Sequence, residues 1–332
     1  MAKVVVITGA GAGVGRATAE AFARLGYDVA LLSRNAERLQ AAAEAIRKRH
    51  GVRALAIPTD VAHSRAVEAA ASQVEAALGS PDIWVNAAMA TVFAPVSLLE
   101  AEEIERATRV TYLGQVHGTM AALKHMRPRN RGVIVNVGSA LCYRSVPLQS
   151  AYCGAKAAVR GFTDSLRSEL IHDGVRVHLT MVHLPAVNTP QFDWAVNKMG
   201  LRARPVAPIF QPEVAARAIV FAATHRRRQV YVGWSTVKAI LADHIAPSLI
   251  DRYLARAGYD GQLTDETLPA DAPGNLFDSV PGDYGSHGRF NATSRSTNQA
   301  LFTDRHRAVC WALAAVTASA VIGRALIPRR RG

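Results

Sequence analysis

Seven short apolar runs alternate with helical patterns between residues 3 and 235, and this alternation constrains the fold more than any other feature of the sequence. Most runs are continuous, which is typical of parallel strands covered on both faces. They occupy residues 3–8, 28–33, 54–60, 83–87, 133–138, 175–182 and 229–234. Repeated strand–helix alternation predicts an α/β fold, a doubly wound parallel sheet with right-handed crossovers and helices on both faces.

A glycine-rich stretch, TGAGAGVG at residues 8–15, joins the first predicted strand to a helical pattern. Glycines at such a junction let the backbone turn tightly and approach a pyrophosphate, whose charge lies at the positive end of the helix. By itself the stretch is equally compatible with a plain tight turn. If it binds a dinucleotide, the predicted contacts are Thr8, Gly9, Gly11, Ala12, Gly13, Val14 and Gly15.

The second predicted strand ends at Ser33 and Arg34, where an acid would hydrogen-bond the ribose 2′-hydroxyl of NAD. A small hydroxyl beside a guanidinium suits a 2′-phosphate, so the pair favours NADP over NAD. A solvated arginine at a strand end is the alternative interpretation. Asp60 and Val61 follow the third strand and are placed to meet the adenine.

Tyr152 and Lys156 are four residues apart in a helical pattern and therefore share one face of the helix. An ammonium beside a phenol favours the phenolate, so we expect Lys156 to lower the pKa of Tyr152 toward the working range. Ser139 ends a strand-like run thirteen residues earlier, at the sheet edge where ligands bind. A Tyr–Lys pair alone is usually a surface contact, but the serine and the glycine loop together favour a catalytic site.

The order of these motifs resembles the short-chain dehydrogenase/reductase family, with TGAGAGVG, PTDV, DIWVNAA, VNVGS, YCGAK and LPAVNT following one another before residue 235. The resemblance implies a Rossmann-like sheet of about seven strands, a nicotinamide cofactor, and a homodimer or homotetramer formed through the long helices. It implies that Tyr152 is the acid/base, that Lys156 lowers its pKa and binds the nicotinamide ribose, and that Ser139 binds the substrate oxygen. It adds as cofactor contacts Asn86, Ala87, Pro185, Val187 and Thr189.

Three motifs depart from the family pattern. Residues 86–89 read NAAM where the family has NNAG, and residues 185–186 read Pro-Ala where it has Pro-Gly. Thr111 stands where the family has a fourth active-site residue, an Asn whose main-chain carbonyl supports a water relay behind the lysine. A threonine keeps that carbonyl and loses the amide, so we expect the relay to persist with altered water positions. None of these changes touches the Ser–Tyr–Lys set.

These residues predict an NADP-dependent oxidoreductase that interconverts a small-molecule carbonyl and a primary or secondary alcohol. A lid region and the loop before Tyr152 suggest a fairly apolar substrate, although the same side chains suit plain packing of the lid. They are Phe192, Trp194, Met199, Phe210, Leu141, Cys142, Tyr143 and Leu148. We interpret His183 as a packing residue. The alternative function is an NADP-binding protein with little catalysis that acts as a membrane-linked interaction partner, to which Thr111 and Ala87 lend support.

The pattern changes after residue 235. Residues 236–259 predict a helix, and residues 260–304 form an acidic, Gly/Pro-rich segment with little helix or strand. The predicted division is a catalytic domain at 1–235, an extension at 236–304 and an apolar, basic-flanked tail at 305–332. The uncharged run 308–323 is shorter than the roughly 20 residues of a spanning helix. Packing on the enzyme or a dimer partner, an interfacial helix and a short tail anchor all remain open.

Composition narrows the class of protein further. The net charge of +13 comes from basic residues spread along the chain rather than clustered with aromatic residues, so we expect no nucleic-acid partner. The three cysteines, Cys142, Cys153 and Cys310, have no paired spacing, which predicts neither disulfides nor a metal site and fits a reducing compartment. No secretory signal pattern precedes the first run. The sequence therefore predicts a cytoplasmic protein, with membrane contact through the tail left open.

Overall fold

A computed structural model describes residues 2–297 of the chain, and one central sheet organises them. The strands are β1 Val4–Thr8, β2 Asp28–Ser33, β3 Ala54–Pro58, β4 Ile83–Asn86, β5 Val92–Phe93, β6 Val133–Ser139, β7 His178–Leu184, β8 Val196–Asn197, β9 Leu201–Ala203, β10 Ile209–Phe210, β11 Gln229–Tyr231, β12 Leu263–Thr267 and β13 Ser294–Arg295. Seven of them pair in parallel in the order β11-β7-β6-β4-β1-β2-β3. The predicted doubly wound sheet is confirmed.

Helices cover both faces of this sheet. They are α1 Gly13–Ala23, α2 Ala36–His50, α3 Ser64–Leu78, α4 Ala101–Thr108, α5 Gly114–Met126, α6 Ser150–His172, α7 Gln191–Trp194, α8 Pro212–Thr224, α9 Trp234–Ile245 and α10 Pro247–Ala257. One apolar core lies under α1, α2 and α8, and a second lies under α3–α6. The order of the strands reverses between β1 and β4. Ligands of open α/β sheets bind at such a switch point, outside the carboxyl ends of the strands.

Three predicted boundaries are wrong for local reasons. Residues 236–259 form two helices because Pro247, which has no N–H to continue the first helix, begins the second. Strand β7 begins at His178 because Val175 still donates its N–H to the Leu170 carbonyl in the terminal turn of α6. Strand β11 ends at Tyr231 because the chain turns into α9 three residues later, at Trp234.

The extension returns to the sheet domain after α10. Strand β12 pairs antiparallel with β9, and β13 pairs parallel with β10. Two short 3-10 turns, Asp260–Gln262 and Asn291–Thr293, are the other regular elements between residues 258 and 297. Within residues 2–297, none of the helices combines the length and the apolarity needed to cross a membrane. The predicted apolar tail at 305–332 lies outside the described residues.

Candidate active site

A cavity of about 540 Å³ runs along the carboxyl edge of the sheet, across the ends of β1, β4 and β6. It collects predicted site residues that are far apart in the sequence. Those that line it are Gly9, Gly11, Ala12, Gly13, Val14, Gly15, Ser33, Arg34, Asp60, Val61, Ala87, Ser139, Tyr152, Lys156, Pro185, Val187 and Thr189. The glycine loop, the end of β2, the Ser–Tyr–Lys set and the segment after β7 therefore share one continuous space.

The glycine loop is built without room for side chains. Gly9 has a φ of +70°, and a Cβ there would come within 2.8 Å of the Ala88 Cα. At Gly15 a Cβ would lie 2.3 Å from the Gly9 carbonyl oxygen. Ala12 is the N-cap residue of α1 and has no polar side chain to cap the helix, and at this end the Gly13 N–H donates to the Gly285 carbonyl at 3.1 Å. This cradle fits a dinucleotide pyrophosphate.

We predict that Gly15→Ala lowers the free energy of unfolding by about 1–3 kcal/mol and weakens dinucleotide binding, because the new methyl group displaces the Gly9 carbonyl. Gly161→Ala is the matched control, since Gly161 is an exposed position of α6 and no atom outside the neighbouring backbone lies within 4 Å of where its Cβ would be. We expect it to raise stability by about 0.5–1 kcal/mol. Denaturant titration of both variants measures the difference, and equal effects would contradict the close packing of the loop.

Two predicted site residues, Thr8 and Thr111, lie beneath the cavity and do not line it. The Thr8 hydroxyl accepts hydrogen bonds from the N–H groups of Ala87 and Ala88, at 3.0 and 3.2 Å. The Thr111 hydroxyl accepts from the Ala90 N–H and donates to the Ala90 carbonyl, both at 2.9 Å. The Thr111 side chain therefore fixes the loop after β4, and the role of its main-chain carbonyl in a water relay stays a prediction.

Asn86 also lies outside the cavity, in a fully buried polar chain between the sheet and its helices. Its amide donates to Asn136 Oδ1 at 2.9 Å and to Thr119 Oγ1 at 3.1 Å, and its oxygen accepts from Trp84 Nε1 at 2.9 Å. The Asn136 amide in turn donates to Thr163 Oγ1. The Asn86 side chain therefore ties β4 to β6, and a cofactor contact of Asn86 stays a prediction for its main-chain groups.

The predicted catalytic set comes together at the end of β6. Ser139 ends that strand, its hydroxyl accepts from the Leu141 N–H at 3.1 Å, and it lines the cavity together with Tyr152. Lys156 lies one helical turn beyond Tyr152, with Nζ 5.6 Å from the centre of the phenol ring. The ammonium donates to the Val137 carbonyl at 2.7 Å and is almost completely buried. Strand β6 thus holds the serine and, through Val137, the lysine.

The pKa values of this set differ from the sequence-based expectation. Burial lowers the pKa of Lys156 to about 8 and raises the pKa of Tyr152 above its ordinary value. The expected lowering of the Tyr152 pKa is therefore wrong, because burial desolvates the phenolate and raises that pKa instead. At neutral pH the phenol keeps its proton and is able to donate it.

Arg34 and its surroundings complete the other end of the cavity. The Arg34 guanidinium reaches the carbonyls of residues 275–277 in the extension, and Asp60 is held by Arg106 at 2.6 Å. Arg38, one turn into α2, also lines this end. Sequence reasoning missed Arg38 and the whole contribution of the extension. The only available signal was the i, i+4 spacing of Arg38 from Arg34.

The predicted lid is partly correct. Phe192, Trp194 and Leu141 line the cavity as expected. Five others do not line it, because they pack in the interior or against neighbouring loops: Met199, Phe210, Cys142, Tyr143 and Leu148. Arg204 reaches the cavity, whereas Arg202 pairs with Glu266 at 3.5 Å. The apolar lining therefore comes from fewer lid residues than the sequence suggested.

His183 belongs to a buried cluster behind Ser139. Its Nε2 lies 3.1 Å from Gln229 Oε1, and its ring stacks on Tyr231 with centroids 5.0 Å apart. Tyr143 donates to the same glutamine oxygen at 2.9 Å. Burial lowers the pKa of His183 to about 4. The histidine is neutral at physiological pH and packs against the active-site strand, in agreement with its interpretation as a packing residue.

This burial makes stability depend on pH. Between pH 6.5 and about 4, the unfolded chain binds a proton at His183 that the native chain does not, so unfolding becomes easier as pH falls. We predict that His183 accounts for about 2–3 kcal/mol of stability lost between pH 7 and 4.5. Denaturant titrations at both pH values should show a smaller loss in His183→Asn than in the wild type. The exposed-histidine control His244→Asn should keep the full loss.

Residues 3–198 match the family model described as short chain dehydrogenase. The chain belongs to this family. Among similar proteins, the Uncharacterized oxidoreductase YxnA of Bacillus subtilis is 32% identical over 283 residues, which cover 84% of this chain and 79% of that protein. A Fatty acyl-CoA reductase of Acinetobacter baylyi is 28% identical over 306 residues, covering 92% of this chain and 95% of the reductase.

Solved structures agree with this assignment. An alcohol dehydrogenase from the archaeon Thermococcus sibiricus, complexed with 5-hydroxy-NADP, superposes with a TM-score of 0.60 at 26% identity, covering 70% of this chain and 96% of its own. The L-sorbose reductase from Gluconobacter frateurii, complexed with NADPH and L-sorbose, gives 0.61 at 25% identity, covering 70% and 95%. This short-chain dehydrogenase is therefore an NAD(P)-dependent oxidoreductase.

Proposed function

We propose that this short-chain dehydrogenase uses NADPH to reduce the carbonyl of a substrate with a long apolar chain. The observation that carries the proposal is one cavity that joins the glycine loop, the Ser139–Tyr152–Lys156 set and a mainly apolar arm. NADPH would be held by the glycine loop, Arg34 and Lys156, and would supply the hydride. The same residues would catalyse the reverse reaction, oxidation of the alcohol, when the Tyr152 phenol is deprotonated.

The chain's own residues supply position, charge and a proton. The Ser139 hydroxyl is placed to hydrogen-bond a substrate oxygen in the cavity. The Tyr152 phenol lines the same cavity and would give that oxygen a proton as negative charge develops on it. The buried Lys156 ammonium, which carries a proton below about pH 8, favours the phenolate that remains after transfer.

NADPH rather than NADH is proposed from the residues at the end of β2. Ser33 and Arg34 line the cavity, and no acid occupies the position that would bind an unphosphorylated ribose. Arg38 adds a second guanidinium one turn further. The neighbours solved with NADP or NADPH give independent support.

The apolar arm of the cavity supports a long-chain substrate. Beyond Tyr152 it is lined by residues from the lid and from α9 and α10 of the extension, among them Phe192, Val206, Ile250, Tyr253 and Leu254. Arg144, which also reaches this arm, has its charge met by Asp243 at 2.8 Å and Asp251 at 2.6 Å. A hydrocarbon chain suits such a wall better than a charged substrate. The similarity to a fatty acyl-CoA reductase over 92% of the chain points the same way.

A chain-length series tests the proposal. Consumption of NADPH should be measured with aldehydes, methyl ketones and acyl-CoA thioesters from four to sixteen carbons. We expect kcat/KM for the preferred class to rise about two- to four-fold per methylene while the arm is filling, because a buried CH₂ contributes about 0.8 kcal/mol. A flat series, or turnover confined to small polar carbonyls, would contradict the proposed substrate class.

A homodimer or homotetramer is proposed as well. Ile104, Met120 and Ile171 on α4–α6 expose large apolar side chains, which supports burial of this face against a second copy. Light scattering of the purified protein gives the mass directly, and a monomer at working concentration would exclude this arrangement.

A further inference from the structure

Residues 275–290 of the extension, here called the strap, lie across the end of the cavity that holds the glycine loop. Leu276 is fully buried in the core under α3–α6 and anchors the strap at one end. At the other end, the Phe290 N–H donates to Asn188 Oδ1 at 3.0 Å. Between these anchors, the strap residues that line the cavity are Asn275, Ser279 and Val280. The cavity therefore has a wall that the family's core does not provide.

Two arginines hold the strap by its backbone. Arg34 donates to the carbonyls of residues 275–277, at 2.6 Å in the case of Phe277. Arg38 donates from Nε to the Gly282 carbonyl at 2.7 Å and from Nη2 to a second strap carbonyl. These are the guanidinium groups that the proposed function assigns to the 2′-phosphate end of NADP(H).

The strap also reaches the start of α1. Its Asp283 carboxylate pairs with Arg16 on the first turn of that helix, and its Gly285 carbonyl accepts the Gly13 N–H at 3.1 Å. Next to them, the Tyr284 ring packs edge-on against Trp194 with centroids 4.6 Å apart. The glycine loop, lid and strap are thus fastened to one another at the mouth of the phosphate cradle.

The charge at this mouth is not balanced. Four guanidinium groups converge there, from Arg16, Arg34, Arg38 and Arg106, while the acids bonded to them are Asp60 and Asp283. Burial and the nearby Arg106 lower the pKa of Arg34 below its usual range. Carbonyl oxygens accept hydrogen bonds without carrying charge, so the strap satisfies donors and leaves the positive field in place. An anion such as a 2′-phosphate complements that field.

We propose that the strap forms the outer wall of the dinucleotide site and has to detach from Arg16, Arg34 and Arg38 before NADP(H) can enter or leave. The inference rests on the proposed cofactor. The same guanidinium groups bind the strap from outside and the phosphate from inside, so a bound dinucleotide and a closed strap stabilise each other. Slow cofactor exchange is the consequence.

Stopped-flow fluorescence on the full-length protein tests the strap. Bound NADPH is chased with excess NADP⁺, and the release rate is compared between wild type and the double variant Asp283→Asn/Tyr284→Ala, which removes the strap's side-chain contacts to Arg16 and Trp194. We expect about ten-fold faster release, equivalent to about 1.4 kcal/mol. Association of NADPH should be faster as well, because the strap detaches more often in this variant. Hydrogen exchange across residues 275–290 should rise in the variant and fall when NADPH is added.

The matched control is Asp271→Asn/Tyr259→Ala, which removes an exposed acid and an exposed tyrosine from the same extension outside the strap. We expect its release rate to equal that of the wild type. Release of NADPH that is equally fast in wild type, strap variant and control would contradict the proposal that the strap has to detach. It would not contradict cofactor binding. Absence of NADPH binding to the wild type would instead overturn the proposed function together with the strap. If the double variant fails to melt cooperatively, Asp283→Asn alone carries the test, with about three-fold faster release expected.

Discussion

Replacing Tyr152 by phenylalanine is expected to lower kcat about 10³- to 10⁴-fold while NADPH still binds. The phenol lines the cavity together with Ser139, and burial raises its pKa, so it keeps its proton at neutral pH. General acid catalysis contributes about 10²–10⁴ in rate, and a phenyl ring of the same shape loses only the hydroxyl. Steady-state kinetics with the best carbonyl of the chain-length series, together with NADPH titration, gives both values.

The matched control for this variant is Tyr259→Phe, because Tyr259 is exposed and lies away from the cavity. It should retain wild-type kcat and KM. The thermal midpoint of Tyr152→Phe should stay close to that of the wild type, which separates a lost proton donor from a damaged fold. Residual activity within ten-fold of the wild type would show that another group delivers the proton.

Replacing Arg34 by glutamine is expected to reduce the preference for NADPH over NADH about 10- to 100-fold. A hydrogen bond to a charged group contributes about 1.5–3 kcal/mol, and NADH has no 2′-phosphate to lose that contact. Arg34 also holds the strap, so its loss weakens the binding of both NADPH and NADH. The ratio of the two kcat/KM values cancels that shared effect and isolates the phosphate contact.

A distant arginine serves as control for the cofactor prediction. Arg109→Gln removes a half-exposed guanidinium that pairs with Glu105 at 2.8 Å on the outside of the helix. Its NADPH-to-NADH ratio should equal that of the wild type. If Arg34→Gln weakens the binding of NADPH and NADH equally, Arg34 only holds the strap and other residues recognise the 2′-phosphate.

Much of the fold and of the catalytic set could be predicted from the sequence, because the signals are local. Continuous apolar runs indicate buried parallel strands, and the i, i+4 spacing of Tyr152 and Lys156 fixes their shared face. The meeting of Ser139 with that pair follows from the position of the serine at a strand end. The structure brings these three together, which favours catalysis over the alternative of a protein that merely binds NADP.

The remaining features depend on contacts that residue types do not reveal. The strap is held largely through its backbone carbonyls. The identities of its side chains therefore do not predict that Arg34 and Arg38 bind it. The raised pKa of Tyr152 depends on how deeply tertiary packing buries the phenol. The hydrogen bonds between the Thr111 hydroxyl and Ala90 likewise do not follow from the family position of Thr111, which concerns its main-chain carbonyl.

The most direct test of the account is a single turnover with NADPH deuterated at the reactive nicotinamide carbon. Wild-type protein and a long-chain carbonyl substrate should give an alcohol that carries deuterium on the former carbonyl carbon, and Tyr152→Phe should form that product about 10³-fold more slowly. Bound NADPH that is never consumed, or deuterium transfer that proceeds equally fast without the Tyr152 hydroxyl, would contradict the proposed reductase mechanism.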